Sequence, residues 1–525
     1  TWEAGWRTIA SPSRWGGQDA PAMVGSYVEE MMCGANTAFT MYTGLTLTAA
    51  ELIMEFGTEE QKQKYVPKMM SGEWTGTMCL TEPHAGSDVG SASSGATRND
   101  DGTYNVEGTK IFISAGDNDL AENVIHLVLA RIEGAEPGTK GLSLFIVPRV
   151  RIEEDGSLGE LNDVAVPSIE HKMGINASAT CVVNFGDDGT CVGEVVGGIE
   201  HQGIRQMFHM MNAARIGVGI QGISVASASY LSALEYARDR KQGASAKQFK
   251  DANAPRVPIL DHPNIRRDLL GMKARVEGVR ALVMKLSNHT DRLNATRGKD
   301  DESEAYHKGQ IDLLTPLVKA YGTDTAFEVS SLAIQVHGGH GYLRDHPVEQ
   351  YCRDSKIFQI YEGTNFIQSM DLVSRKLGQA GGANTQAFLS DIQTFIMENK
   401  DTPELQDSIK HLQAAHEAVA ASVMQFISWF KGGKIEHIPL AAEQFLRIMS
   451  ELSVGWLLLD QAAISLRKLP ETSESHPDHA FYSGKKIAAQ FFANDTLATL
   501  PARVQRLSAI DTLPVEMPDE AFATI

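Results

Sequence analysis

The spacing of apolar residues changes several times along the chain. From Ala20 to about Ser71 they recur at the helical period, and "TEEQKQKYVPKMM" supplies Thr58 as a cap with Gln61 three residues later, the arrangement of a capping box. From Glu73 to about Val196 the pattern shortens to "TYNVEGTKIFIS", "NVIHLVLARI", "GLSLFIVPRV" and "ATCVVNFG", runs punctuated by Gly, Asp and Asn that predict strands. After Gly203 the helical period returns near 203–240, 262–297 and 303–337. The polar "KQGASAKQFKDANAPRVP" interrupts it and predicts a long loop. A Gly-rich break, "LGQAGGAN", precedes a further helical region from about Asn384 to Arg506. The pattern predicts a mainly α chain with a central β domain, divided as 1–72, 73–197, 198–380 and 381–525, without a short-period internal repeat.

Composition narrows the function classes. A chain of 525 residues with 42% hydrophobic content can bury several cores. Its 47 basic and 66 acidic residues give a net charge of −19, which repels a phosphate backbone, and no Lys/Arg-rich run offsets it. Nucleic-acid binding is not expected. Cys33, Cys79, Cys181, Cys191 and Cys352 are odd in number and form no C-x-x-C pair, which predicts reduced thiols in the cytoplasm. The most apolar C-terminal stretch, "EAVAASVMQFISWF", is broken by Glu417, Ser422, Gln425 and Ser428 and predicts a bundle helix, not a membrane span. No signal segment or lipidation motif opens the chain, and the abrupt "TWEAGWRTIASPSRWGG" leads us to expect an N-terminal domain that is incomplete at its start.

Several motifs carry candidate chemistry beside an ordinary explanation. "GVGIQG" (Gly217, Gly219, Gly222), with Asp239 beyond it, matches the dinucleotide fingerprint. That fingerprint needs a preceding strand, whereas "GIRQMFHMMNAARI" reads as helix, so close approach of two helices at small residues is the favoured explanation. "HGGHGYLRDH" gathers His337, His340 and His346 at a spacing that fits no common zinc pattern, and Gly338 and Gly339 make backbone the point of the loop. No metal is expected. In "CLTEPHAGSD", Ser87, His84 and Asp88 lie too close together for a catalytic triad, and a turn rich in hydroxyls and backbone donors suits a polar ligand. Glu362, in "QIYEGTNFIQ", could simply be a surface carboxylate or cap ahead of a helix. Met207, Met210 and Met211 could line a soft pocket, although Met at helical spacing more often fills a core.

Taken together, "CLTEPHAGSD", "GTKIFIS", "ARDRKQG" and "IQVHGGHGYLRDHPVEQYCRDSKIFQIYEGTN", in an α, β, α order, resemble the acyl-CoA dehydrogenase family of flavoproteins over about Trp2 to Arg375. The chain is similar in particular to the longer bacterial members with an added C-terminal helical domain, a group that includes the 3-methylmercaptopropionyl-CoA dehydrogenases. The resemblance implies an N-terminal helical domain, a middle β-barrel or sandwich domain, a C-terminal four-helix bundle and the additional helical domain. It implies FAD as cofactor and an acyl-CoA substrate, 3-(methylthio)propanoyl-CoA or a short- or medium-chain acyl-CoA, oxidised to the trans-2-enoyl-CoA.

By the same resemblance Glu362 is the base that removes the α-proton. A carboxylate in water is too weak for that proton, so desolvation and stabilisation of the enolate must help it. Tyr361 and Gly363 would shape the substrate side, and Arg215 matches an arginine near the substrate channel, its competing role being a helix-surface salt bridge. Met78, Leu80, Thr81, Gly86 and Ser87 would contact the flavin, with Phe112 and Ser114 on its other side, and Ser87 would also touch the CoA pantetheine. Arg240, Gln335 and Gly339 would hold the pyrophosphate and adenosine of a neighbouring subunit's flavin, and Thr364 would return to the flavin, which implies a homodimer or a dimer of dimers. Electron-transfer flavoprotein is the implied electron acceptor. Two departures weaken the adenosine assignments: Gln242 stands where the family usually has an aromatic residue, and Pro263 where a glutamine often meets the adenine. The rivals are an acyl-CoA oxidase, a DNA-protective flavoprotein of the same fold and a catalytically dead scaffold; the first differs by its use of oxygen, the second by a basic groove missing after Asn384, and the third by losing the base or the flavin loop.

Overall fold

The computed structural model describes residues 2–523. Thr1 and Thr524–Ile525, at the ends of the first and last predicted domains, lie outside the described residues. The chain forms two compact units: one runs to Ser224 and includes Lys356–Phe358, and the other takes Val225–Ser355 and the chain from Gln359 onward.

The first unit opens with helices α1 (Ala22–Phe56) and α2 (Glu59–Ser71). The predicted capping box is present: the Thr58 hydroxyl accepts from Gln61 N at 3.1 Å and the Gln61 side-chain oxygen accepts from Thr58 N at 3.1 Å. Ten strands follow: β1 (Trp74–Cys79), β2 (Gly95–Arg98), β3 (Tyr104–Ser114), β4 (Asn123–Ile132), β5 (Leu142–Pro148), β6 (Val150–Ile152), β7 (Leu158–Leu161), β8 (Val164–Ile169), β9 (Thr180–Phe185) and β10 (Val192–Val195). Their order is β1-β4-β5-β10-β3-β9-β8, and β2 pairs with both β3 and β4, so β4, β5, β10, β3 and β2 close a ring. The ring explains why "NVIHLVLARI" is apolar almost throughout instead of alternating. Successive side chains of a strand point to opposite faces. Val128, Ala130 and Ile132 of β4 enter the ring core with Phe145 and Val147 of β5. Ile125, Leu127 and Leu129, with Leu144 and Ile146, pack outward on Ile53, Tyr65 and Met69 of α1 and α2.

Helix α3 (Gly203–Asp239) passes from the first unit to the second after Ser224. It is long and apolar enough to cross a membrane by composition, with mean hydropathy 1.2 over its most apolar window, but 61% of that window is buried within the fold. The predicted long loop follows, closed at its base where Gln242 N donates to Val257 O and Val257 N to Gly243 O. Helices α4 (Pro263–Thr296) and α5 (Asp301–His337) form a long hairpin, with the Asp300 side chain capping α5. Then come α6 (Val348–Lys356), α7 (Asn365–Asp371), α8 (Ala383–Asn399), α9 (Gln406–Lys431), α10 (His437–Lys468), α11 (Pro477–Asp495), α12 (Leu500–Ala509) and the one-turn α13 (Leu513–Glu516). Helix α10 is the buried axis of the last region and packs on α4, α5, α7, α9 and α11. Arg447 of α10 pairs with Glu328 of α5 through two hydrogen bonds, at 2.6 and 3.2 Å.

The fold decides two of the motif readings. "GVGIQG" lies wholly inside α3, so no strand precedes it and the dinucleotide fingerprint is excluded. The proposed reason for its glycines fails at Gly217, where a Cβ atom would meet no described residue within 4 Å. Met207 and Met210 are fully buried in the core beneath β4 and β5, with Met211 against it, so they fill that core.

Candidate active site

In the first unit, Met78 lies near the end of β1, and the segment that leaves the strand carries Leu80, Thr81, Gly86 and Ser87. Met78 packs against the core, Leu80 is buried, Thr81 is half-buried, and Gly86 and Ser87 are exposed. Glu82 N donates to Ala85 O and Ala85 N to Glu82 O, which closes a tight turn over Pro83 and His84. His84 sits beside Ser91 O at 3.2 Å, and the Asp88 carboxylate accepts from the Ser91 hydroxyl. Neither contact involves Ser87, in keeping with a ligand loop instead of a triad.

Beneath this turn lies a buried ion pair that sequence inspection missed. Lys110 Nζ donates to Glu82 Oε1 at 2.8 Å, Leu129 O at 2.7 Å and Leu80 O at 3.1 Å. The carboxylate also receives the amides and hydroxyls of Ser93 and Ser94, at 2.6 to 3.0 Å. The two side chains are 0% and 1% exposed, so almost no solvent competes for these bonds. Burial alone would raise the Glu82 carboxyl, but the Lys110 ammonium and the serine donors outweigh it and hold the pKa at about 2. Gly108, with φ +146°, lets Ser94 come this close: a Cβ there would meet Ser94 Oγ at 2.3 Å.

The strand that supplies Lys110 is deformed just beyond it. The register of β3 against β9 shifts between Lys110 and Ile113, a bulge, and Phe112 adopts φ +60° with 60% of its surface exposed. Ile111 N donates to Thr81 O at 2.9 Å, joining the bulge to the loop after β1. Ser114, half-buried, ends β3. The two segments predicted to flank a flavin are therefore one hydrogen-bonded unit. Arg215 of α3 is 2% exposed, with Asn212 at 3.3 Å and its guanidinium over the Phe208 ring, so it is buried and does not lie on the helix surface.

In the second unit, Tyr361, Glu362, Gly363 and Thr364 form the turn before α7, all half-buried. Glu362 has φ +56° and Gly363 φ +80°. A left-handed non-glycine residue costs about 1–2 kcal/mol, which the surroundings must offset. Gln368, fully buried, donates to Gly363 O at 3.2 Å and Glu362 O at 3.4 Å. The Thr364 hydroxyl caps α7 by accepting from Ile367 N at 3.2 Å. The capping role considered for Glu362 therefore falls to Thr364.

Gln335 and Gly339 are exposed at the end of α5 and in the following 3-10 turn, and Arg240 is exposed just after α3. They are joined through Tyr236, one turn before Arg240, which stacks on His337 at 4.3 Å and contacts His340 and His346. The three imidazoles crowd one phenol ring. Pro263 is the first residue of α4, where its missing N–H costs nothing.

Over residues 1–73, 77–187 and 201–377 the chain matches the N-terminal, middle and C-terminal domains of acyl-CoA dehydrogenase, and over 388–518 a domain described as acetyl-CoA dehydrogenase C-terminal like. It is 38% identical to the broad-specificity linear acyl-CoA dehydrogenase FadE5 of Mycobacterium tuberculosis, over 99% of this chain and 86% of that protein. It is 36% identical to 3-methylmercaptopropionyl-CoA dehydrogenase of Ruegeria pomeroyi, over 96% of this chain and 84% of that one. Its fold resembles the FAD complex of an acyl-CoA dehydrogenase from Bacillus anthracis, with TM-score 0.75 and 22% identity, covering 99% of this chain and 83% of that one. Fold and motifs together define a flavoprotein oxidoreductase. The chain belongs to the acyl-CoA dehydrogenase family, with FAD as cofactor and α,β-dehydrogenation of an acyl-CoA as its reaction. The residues present fit that cofactor: an exposed aromatic side chain on a strained bulge, bonded to a loop that exposes Gly86 and Ser87, offers an apolar face beside polar donors.

Proposed function

We propose that Glu362 is the catalytic base and that the acyl substrate is 3-(methylthio)propanoyl-CoA or a short- or medium-chain acyl-CoA. The observation that carries the base assignment is its strained, doubly hydrogen-bonded turn, a costly conformation that an ordinary surface carboxylate has no reason to keep. The Glu362 carboxylate takes the proton from the α-carbon as the C–H electrons move toward the thioester carbonyl, and Tyr361 and Gly363 shape that side. The bound FAD, when present, supplies the acceptor for the hydride that leaves the β-carbon, so that a C=C bond forms and the product is the trans-2-enoyl-CoA. Met78, Leu80, Thr81, Gly86, Ser87, Phe112 and Ser114 would hold its ring, and Arg240, Gln335, Gly339 and Thr364 its remaining parts. Ser87 and Arg215 would serve the substrate.

The substrate range draws support from the names of the two relatives, one of broad linear specificity and one for 3-methylmercaptopropionyl-CoA. The four-part division at 72, 197 and 380, a homodimer or dimer of dimers, electron-transfer flavoprotein as acceptor and a cytoplasmic location belong to the same proposal. All five cysteines are free, in keeping with a reducing compartment. The purified protein is expected to be yellow and to bleach without oxygen on adding one of these acyl-CoAs. A bleaching-rate series from short to long chains, with methylthiopropanoyl-CoA included, tests the substrate; reoxidation by electron-transfer flavoprotein instead of air separates dehydrogenase from oxidase. Failure of every short and medium chain to bleach the protein overturns the substrate reading.

A further inference from the structure

The turn that carries Glu362 is closed at its base by a residue that neither the motif nor the comparisons point to. Three residues before Glu362, the Gln359 amide donates to Asp324 Oδ1 at 2.7 Å. Three residues after it, the Asn365 amide donates to the same oxygen at 2.8 Å. Both ends of the turn are thus pinned to one atom on helix α5. The Asn365 side chain is fixed from its other end as well: its oxygen accepts from Lys319 Nζ at 2.9 Å and Thr323 Oγ1 at 3.3 Å, and its nitrogen reaches Ala320 O at 3.2 Å. Lys319 is fully buried.

We propose that Asp324 is a positioning residue for the base: by clamping Gln359 and Asn365 on one carboxylate oxygen it imposes the left-handed backbone that aims Glu362. This rests on the reading of Glu362 as the base. A strained turn persists only when its surroundings over-determine it, and here four side-chain bonds do so: two on Asp324 at the base and two from Gln368 to the carbonyls of Glu362 and Gly363. Without the base clamp the turn can relax from φ +56° at Glu362. A carboxylate displaced by about 1 Å loses roughly 10²-fold in rate.

The test uses full-length holoenzyme and a substrate that isolates proton removal. Acetyl-CoA has no β-carbon, so uptake of deuterium at its methyl group in D2O, read by mass spectrometry, reports the base alone. Asp324→Ala is expected to stay yellow, to keep its KM for acetyl-CoA and to lose about 10²-fold in exchange. Asp324→Asn, which keeps an acceptor oxygen at the same position, is expected to recover most of it; a merely structural role would not divide kcat from KM in this way. Should Asp324→Ala fail to fold, Gln359→Leu removes one arm of the clamp and is expected to slow exchange by a smaller factor. Exchange lost in Glu362→Gln but unchanged in a folded Asp324→Ala, or in Gln359→Leu, overturns the clamp. Exchange unchanged in Glu362→Gln overturns the base assignment, and the clamp's role with it.

Discussion

The two loops proposed to carry the chemistry are held by different means. The loop after β1 is tied down by charge: a buried carboxylate with five donors and a buried ammonium with three acceptors. The Glu362 turn is tied down by amide side chains that impose a left-handed backbone. A loop that cradles a cofactor needs to keep one shape, and buried charges that satisfy each other lose heavily when either is removed. A turn that aims a base needs a particular backbone direction, and side-chain amides supply it: Gln368 holds the carbonyls of Glu362 and Gly363, and Gln359 and Asn365 fasten the base of the turn to the Asp324 carboxylate. The first loop is therefore expected to reveal itself in stability and the second in rate.

Lys110→Met should give the largest change in stability. It leaves Glu82 as a buried, unpaired carboxylate and is expected to cost about 3–5 kcal/mol in denaturant unfolding. The double variant with Glu82→Gln should be less destabilised than the single one; equal losses would mean that the charge pair is not what holds the loop. Gly363→Ala is next. With φ +80° at this position, an added Cβ costs about 1–2 kcal/mol, and proton removal is expected to suffer more than the thermal midpoint. Thr58→Ala, outside both loops, removes one half of the capping box and should cost about 1 kcal/mol with no change in rate.

Acid sharpens the contrast further. Burial holds the His126 pKa at about 3, below its ordinary 6.5, while Lys110 and the serine donors hold Glu82 at about 2, below 4.5. Both pKa values are lowered on folding, so each contribution is fully present above the unfolded value and is lost as pH falls toward the folded one. Stability should decline from about pH 6.5 and more steeply below about 4.5. His126→Asn should flatten the upper part of that decline, measured as unfolding midpoint against pH.

Much of the architecture was legible in the sequence because period and punctuation are local. The helices observed at 203–239, 263–296 and 301–337 follow the apolar spacing closely, and Thr58 and Gln61 announce their capping box within four residues. The ring closure was not legible, since β2 meets both β3 and β4 only in space. The same limit applies to the site. Glu82 and Lys110 stand inside motifs that sequence inspection singled out, yet nothing local joins residues 28 apart. Asp324 lies on a helix whose neighbours give no sign that two amides from another segment end on its oxygen. Gly217 erred in the opposite direction: a small residue suggested close packing where no described residue approaches.

The central claim is that Glu362 removes the α-proton. Its most direct measurement is the rate of anaerobic flavin bleaching by butanoyl-CoA in the wild type and in Glu362→Gln, followed by stopped-flow absorbance. The variant should remain yellow and bleach about 10²–10⁴-fold more slowly. A yellow variant that bleaches at the wild-type rate would contradict the account.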